Sequence, residues 1–186
     1  MSPLRRIGLG ALLLLALGLA AVKTAEYRFR LQVLPDGFGA WRIVYAREKV
    51  WGFGPGGNES GVVVYAMPRR MSDALDARGL AWLETLAADG DRGRRSRFAH
   101  WAPTPVSAEV PWAAPETCRH ESAPEGACPG IAVFLNRYGF GLPLRASVEQ
   151  AVNDALFGPG AYWSTGRGGL LIVIPETRRI VFAYAG

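Results

Sequence analysis

A serine-type hydrolase needs a nucleophile, a base and an acid that orients the base. Ser164 in Trp163-Ser164-Thr165-Gly166, His100 or His120, and Asp154 are the residues that could fill those places. The G-x-S-x-G elbow that exposes such a serine is missing, and Ser164 reads as a turn serine ahead of a strong strand. Cys118, His120 and Cys128 offer three soft metal ligands, with Glu121 or His100 as a fourth. Their spacing lacks the paired C-x-x-C or H-x-x-x-H units of a zinc module. Nine residues separate Cys118 from Cys128, Pro124 and Gly126 among them. In an exported chain an even cysteine count reads as a disulfide. A Cys118–Cys128 bond is therefore expected, contributing about 2–3 kcal/mol by closing this loop. The glycine-rich stretch 158–169 has neither the phosphate cradle G-x-x-x-x-G-K-[ST] nor G-x-G-x-x-G, so no cofactor is expected.

Two further groups could bind rather than react. Arg92, Arg94, Arg95 and Arg97 place four guanidiniums in six residues. They could grip phosphate or carboxylate bidentately, or form a solvated loop balanced by Asp89 and Asp91. Of six tryptophans, Trp41 and Trp82 fit core-facing positions. Trp51, Trp101, Trp112 and Trp163 fall in or beside loops, where they could hold a protein partner or the face of a sugar, or pack beneath the long 102–130 loop as its apolar filling. Trp51, Trp112 and Trp163 are the candidates for contact.

Residues 7–22 are 16 uncharged residues following Arg5-Arg6. A positive segment before an apolar one is an export signal or a signal anchor. At 1.5 Å per residue the run spans about 24 Å, short of the roughly 30 Å hydrocarbon core. Thr24 and Ala25 could extend it while Lys23 snorkels to the headgroups. The small-x-small pattern Gly18-Leu19-Ala20 is the alternative, a cleavage site. Arg5-Arg6 puts the N-terminal end in the cytoplasm. Residues 1–25 thus read as an inner-membrane anchor or signal, and 26–186 as one periplasmic domain. The net charge is +5, and without Arg5 and Arg6 it leaves 19 basic against 16 acidic residues. That balance is too mild for a nucleic-acid binder. Only Lys23 and Lys49 are lysines, a usage typical of GC-rich bacterial genomes.

The elements that would position these residues are read from periodicity. Tyr27, Phe29, Leu31 and Val33 alternate with Arg28, Arg30 and Gln32, predicting a strand. Pro35-Asp36-Gly37 makes a turn into a second run through Trp41, Ile43 and Tyr45, and the two form a hairpin. The stretch 51–61, with five glycines and a proline, is a loop. Strands follow at 62–67 and, briefly, 98–101. A helix capped by Ser72 runs to about residue 88, with Leu75, Trp82, Leu83 and Leu86 on one face. Residues 102–130, dense in proline (Pro103, Pro105, Pro111), are a long loop. Residues 131–138 read as a strand. A helix opens at Ser147 with a capping box to Gln150, its apolar face formed by Val148, Val152, Ala155 and Leu156. Strands at 170–174 and 180–184 close the chain. This predicts an α+β fold, a mainly antiparallel sheet of about six strands with two helices on one face after one N-terminal hydrophobic helix.

With no catalytic motif, the expected function is a membrane-anchored, non-catalytic accessory or assembly subunit of a larger membrane or envelope complex. Its partners would be the membrane, through the N-terminal helix, and proteins in the membrane or periplasm. The alternatives are a periplasmic binding module for cell-wall glycan or lipid headgroups, and an envelope hydrolase.

Overall fold

Residues 23–33 carry two periods at once. The aromatic and aliphatic side chains alternate as in a strand, while Lys23, Glu26 and Arg30 are spaced by three and four, as charge pairs on a helix are. In the structure, a computed structural model, the helix wins. The strand expected over residues 27–33 is instead the last turns of helix α1, which runs unbroken from Pro3 to Leu31, and the residues just after it. Extending an existing helix adds one hydrogen bond per residue fixed, whereas a new strand must find a partner. The predicted hairpin of 27–33 with 41–45 is therefore absent. The structure describes residues 3–51, 59–88, 98–107, 110, 130–139, 141–166 and 169–186, with side chains in α1 from Leu12 onward and in the helix ending at Ala88 only as far as Leu86.

Beyond α1 the described elements are a 3-10 turn Asp36–Phe38, β1 (Ile43–Val50), β2 (Glu59–Ala66), α2 (Arg69–Arg78), α3 (Leu80–Ala88) and β3 (Trp101–Pro103). They continue with α4 (Ile131–Asn136), α5 (Ala146–Phe157), β4 (Tyr162–Gly166), β5 (Gly169–Ile174) and β6 (Arg179–Ala185). All six strands form one sheet in the order β1-β2-β6-β5-β4-β3, and every pairing is antiparallel. The fold is α+β, with five α-helices among the described residues.

The helices lie on both faces, not on one. Val62, Val64, Leu170, Ile172, Ile174, Val181 and Ala183 meet α4 and α5. Their neighbours Val63, Tyr65, Leu171, Val173, Ile180 and Phe182 meet the end of α1, the 3-10 turn, α2 and α3. This explains why β2, β5 and β6 read as apolar on both sides.

Local signals account for the remaining differences. Residues 131–138 form α4 rather than a strand: Ile131, Phe134 and Leu135 are buried at helical spacing. The free N–H of Ile131 donates to Asn153 Oδ1 of α5 at 2.8 Å, a cap supplied from 22 residues away. Ser72 is not a cap but is buried inside α2, which starts after Pro68. α5 begins at Ala146 without a side-chain cap, so the Ser147–Gln150 capping box is not formed. Its apolar face is as expected, with Val152, Ala155 and Leu156 buried. Trp163 and Ser164 lie on β4, not in a turn. Trp82 is buried, but Trp41 is not a core residue and is 70% exposed.

The expected single helix over 72–88 is two, broken at Gly79. This residue sits at φ 54°, ψ −133° and donates its N–H to the Leu75 carbonyl at 2.7 Å. Only glycine takes that conformation without strain. Gly79→Ala is expected to lower the unfolding free energy by about 1–3 kcal/mol, measured by urea denaturation of the full chain in mild detergent.

Candidate functional site

The site with the densest polar geometry is the junction between α1 and the sheet. Glu48, Gly61 and Tyr184 occupy one row of the register across β1, β2 and β6. Gly61 has no side chain, so the Tyr184 ring lies across β2 and its hydroxyl donates to Glu48 Oε1 at 2.6 Å. A Cβ at Gly61 would come within 2.5 Å of that ring. Glu48 Oε2 accepts from Arg30 Nη2 at 3.1 Å, and the same nitrogen donates to Glu26 Oε1 at 2.8 Å. Lys23 pairs with Glu26 at 2.9 Å. The chain of contacts thus runs from β6 across β2 to Glu48 on β1, and from there to the last turns of α1.

The end of α1 leaves four carbonyls without helical partners. The Gln32 N–H serves those of Arg28 and Phe29, and the Leu34 N–H serves that of Leu31. Arg30 is completed by the Tyr65 hydroxyl of β2, which donates to its carbonyl at 2.7 Å. Leu34 and Phe38 then enter the core, where Phe38 stacks on Trp82 with centroids 6.1 Å apart and meets Trp101 at 5.9 Å. Tyr27, one turn before the helix end, donates its hydroxyl to the Trp41 carbonyl.

The charges respond to these surroundings. The Lys23 ammonium, through a hydrogen bond and its charge, and then Arg30 hold the Glu26 carboxyl below its usual range. Burial, with the nearby Glu48 charge, raises Glu59. Burial is also the main cause that pushes the Tyr65 phenol well above its ordinary value. Tyr184 is raised by burial first and then by its hydrogen bond to Glu48.

The residues singled out in the sequence are not brought together here. Arg92, Arg94, Arg95, Arg97, Trp112, Cys118, His120, Glu121 and Cys128 lie outside the described residues, as does the expected disulfide. Trp51 stands at the end of β1, 47% exposed, with Lys49 Nζ 4.4 Å from its ring centroid. Trp163 is half-buried against the α4–α5 side. Ser164 pairs with Trp101 and Leu171 and so faces the other layer. It is fully buried, and its hydroxyl has no partner among the described residues. Asp154 is exposed on α5, across the sheet from Ser164, and His100 is exposed before β3. These three do not form a catalytic set, because a base must lie within hydrogen-bond reach of its nucleophile. Among the described residues no group of three or more His, Cys, Asp or Glu side chains could hold a metal.

The chain matches no protein-family model, no curated protein and no solved structure. What the junction can do follows from its geometry. It has paired carboxylates and a phenol, but they are spent on one another and on Arg30. The arrangement fixes the direction in which α1 leaves the sheet. Its polar parts escaped the sequence because Glu48 and Tyr184 are 136 residues apart. Only the Glu26–Arg30 spacing of four was a readable signal.

Gly61→Ala is expected to displace the Tyr184 ring and cost about 1–3 kcal/mol. Tyr184→Phe should cost about 1 kcal/mol, and the double variant less than the sum of the two, all by urea denaturation. The raised phenols set an alkaline limit. The folded chain resists ionising Tyr65 and Tyr184, whereas unfolded phenols ionise near 10.0. The stability involved is complete below pH 10 and falls as pH rises beyond it, by up to about 1.4 kcal/mol per pH unit for each tyrosine. Phenolate absorbance from these two is expected only as far-UV dichroism is lost. Tyr184→Phe would remove one such late step, and ionisation of all six tyrosines in a folded chain would contradict the assignment.

Proposed function

We propose that the chain is a membrane-anchored, non-catalytic accessory or assembly subunit of a larger membrane or envelope complex. Its N-terminus lies in the cytoplasm and its domain in the periplasm. The observation that carries this reading is the continuity of α1 from its apolar run into its sealed end on the sheet. Leu12, Leu13, Leu14, Leu15, Leu17, Leu19 and Val22 are each between 58% and 71% exposed. An uncovered apolar surface of this kind marks contact with a membrane or a protein. Among the described residues no helix is long and apolar enough to cross a membrane. The run of 7–22 also includes Ile7, Gly8, Leu9 and Ala11, whose side chains lie outside the described set. Counting the run whole, with Thr24 and Ala25 and a snorkelling Lys23, supports an anchor.

Retention is favoured over cleavage. Gly18-Leu19-Ala20 lies inside a helix that continues to Leu31, whereas proteases favour exposed, poorly ordered segments. The glycan-binding alternative has less support. Trp163 is half-buried and Trp51 holds an ammonium against one side of its ring, while Trp112 lies outside the described residues, so no cluster of open aromatic faces is seen among the described residues. A hydrolase is disfavoured by the separation of Ser164 from His100 and Asp154.

Two measurements separate the parts of this proposal. Washing membranes with alkaline carbonate is expected to leave the chain in the pellet, and its release would overturn the anchor. Purifying a C-terminally tagged chain in mild detergent from its source, followed by mass spectrometry, is expected to recover stoichiometric membrane or envelope proteins. A chain recovered alone, with residues 7–22 present, would keep the anchor and overturn the accessory role.

A further inference from the structure

Trp41 is a large aromatic residue left 70% exposed beside α1, and its position is fixed. Tyr27 lies five residues beyond Val22, about 7.5 Å further along the helix axis. Side chains on a helix lean toward its N-terminus, so the Tyr27 phenol reaches back toward the apolar run. Its hydroxyl donates to the Trp41 carbonyl. The Trp41 backbone is therefore held about level with the turn of Lys23 and Glu26, one turn above the leucines.

We infer that this rim of the domain rests in the headgroup layer of the bilayer, with Trp41 as a second membrane contact beside α1. The inference rests on reading α1 as the anchor. A headgroup layer is about 5–7 Å thick on each side of the hydrocarbon core, and the turn of Lys23 and Glu26, where the apolar part of α1 ends, lies at its inner edge. Indoles favour that zone because the ring is apolar and its N–H still finds an acceptor. Arg42, next in sequence, and Lys23 are both exposed on the same rim, and each suits a lipid phosphate. The lipid surface is the occupant that continuity with α1 points to. A protein partner would have to reach Trp41 past the bilayer that α1 enters.

The test uses the full chain reconstituted in phosphatidylcholine vesicles, with or without bromine near the top of the acyl chains. The emission of the wild type minus that of Trp41→Phe isolates Trp41 from the other tryptophans. Trp41 has no core contact to lose, and matching thermal unfolding of the two proteins checks this. The expected result is that the chain floats with the vesicles, and that Trp41 emission is dimmed by the brominated lipid and shielded from acrylamide in the buffer. A chain that floats while Trp41 stays sensitive to acrylamide and blind to bromine would overturn this inference and leave the anchor standing. A chain that does not float would overturn both. Because no other protein is present, shielding seen only in native membranes would point to a partner and would also overturn the lipid contact.

Discussion

The Tyr65 hydroxyl on the Arg30 carbonyl is the contact on which the placement of α1 depends. It completes the last of the four carbonyls that the helix leaves open, and it does so from β2, the strand next to the sheet edge. Removing the hydroxyl would leave a partly buried acceptor without a partner, at a cost of about 1–3 kcal/mol. The same strand serves the other layer in the same way. Ser60 of β2 is buried and donates to the Leu135 carbonyl near the end of α4 at 2.9 Å. Alternation along β2 therefore lets one strand seal a helix end on each face.

Two kinds of force hold α1, and they do different work. Arg30 bridges Glu26 and Glu48 at 2.8 and 3.1 Å, on a partly exposed surface. Such pairs are worth roughly 0–1 kcal/mol each. Burying Leu34 and Phe38 immediately after the helix contributes about 1.5–3 kcal/mol apiece. The apolar residues thus supply most of the attachment. The ion pairs, aimed at fixed points on β1 and along α1, select which side of the helix faces the sheet. Tyr184 adds to that selection because Gly61 lets its ring cross β2 to reach Glu48.

The sheet centre was legible in the sequence because β2, β5 and β6 are apolar on both faces and bounded by turn residues. Helix α5 was legible from Val152, Ala155 and Leu156. Residues 27–33 misled because the strand-like alternation of Tyr27, Phe29, Leu31 and Val33 overlies the helical spacing of Lys23, Glu26 and Arg30. The run 131–138 misled because a short apolar stretch suits either element, and its cap comes from Asn153 of another helix. β4 was hidden in a glycine-flanked segment whose strand character depends on pairing with β5 and β3. The junction itself could not be read in advance. Glu48, Gly61 and Tyr184 are ordinary residues until register places them in one row.

A flexible tether needs glycine, serine or proline, and residues 19–34 contain none. Helix α1 instead continues without interruption to a sealed end, and the chain turns into the core within seven residues of Leu31 at Phe38. Rotating α1 about its axis would pull Arg30 from Glu48 and the Arg30 carbonyl from Tyr65, so helix and sheet turn as one body. On the proposed reading this matters more than any single surface residue. An enzyme acting on soluble molecules gains little from a fixed orientation, whereas a subunit that fits into an assembly must present the same face at the same height every time. A rigid mount with its carboxylates and phenols consumed in holding it, rather than left open to react, is what that role requires.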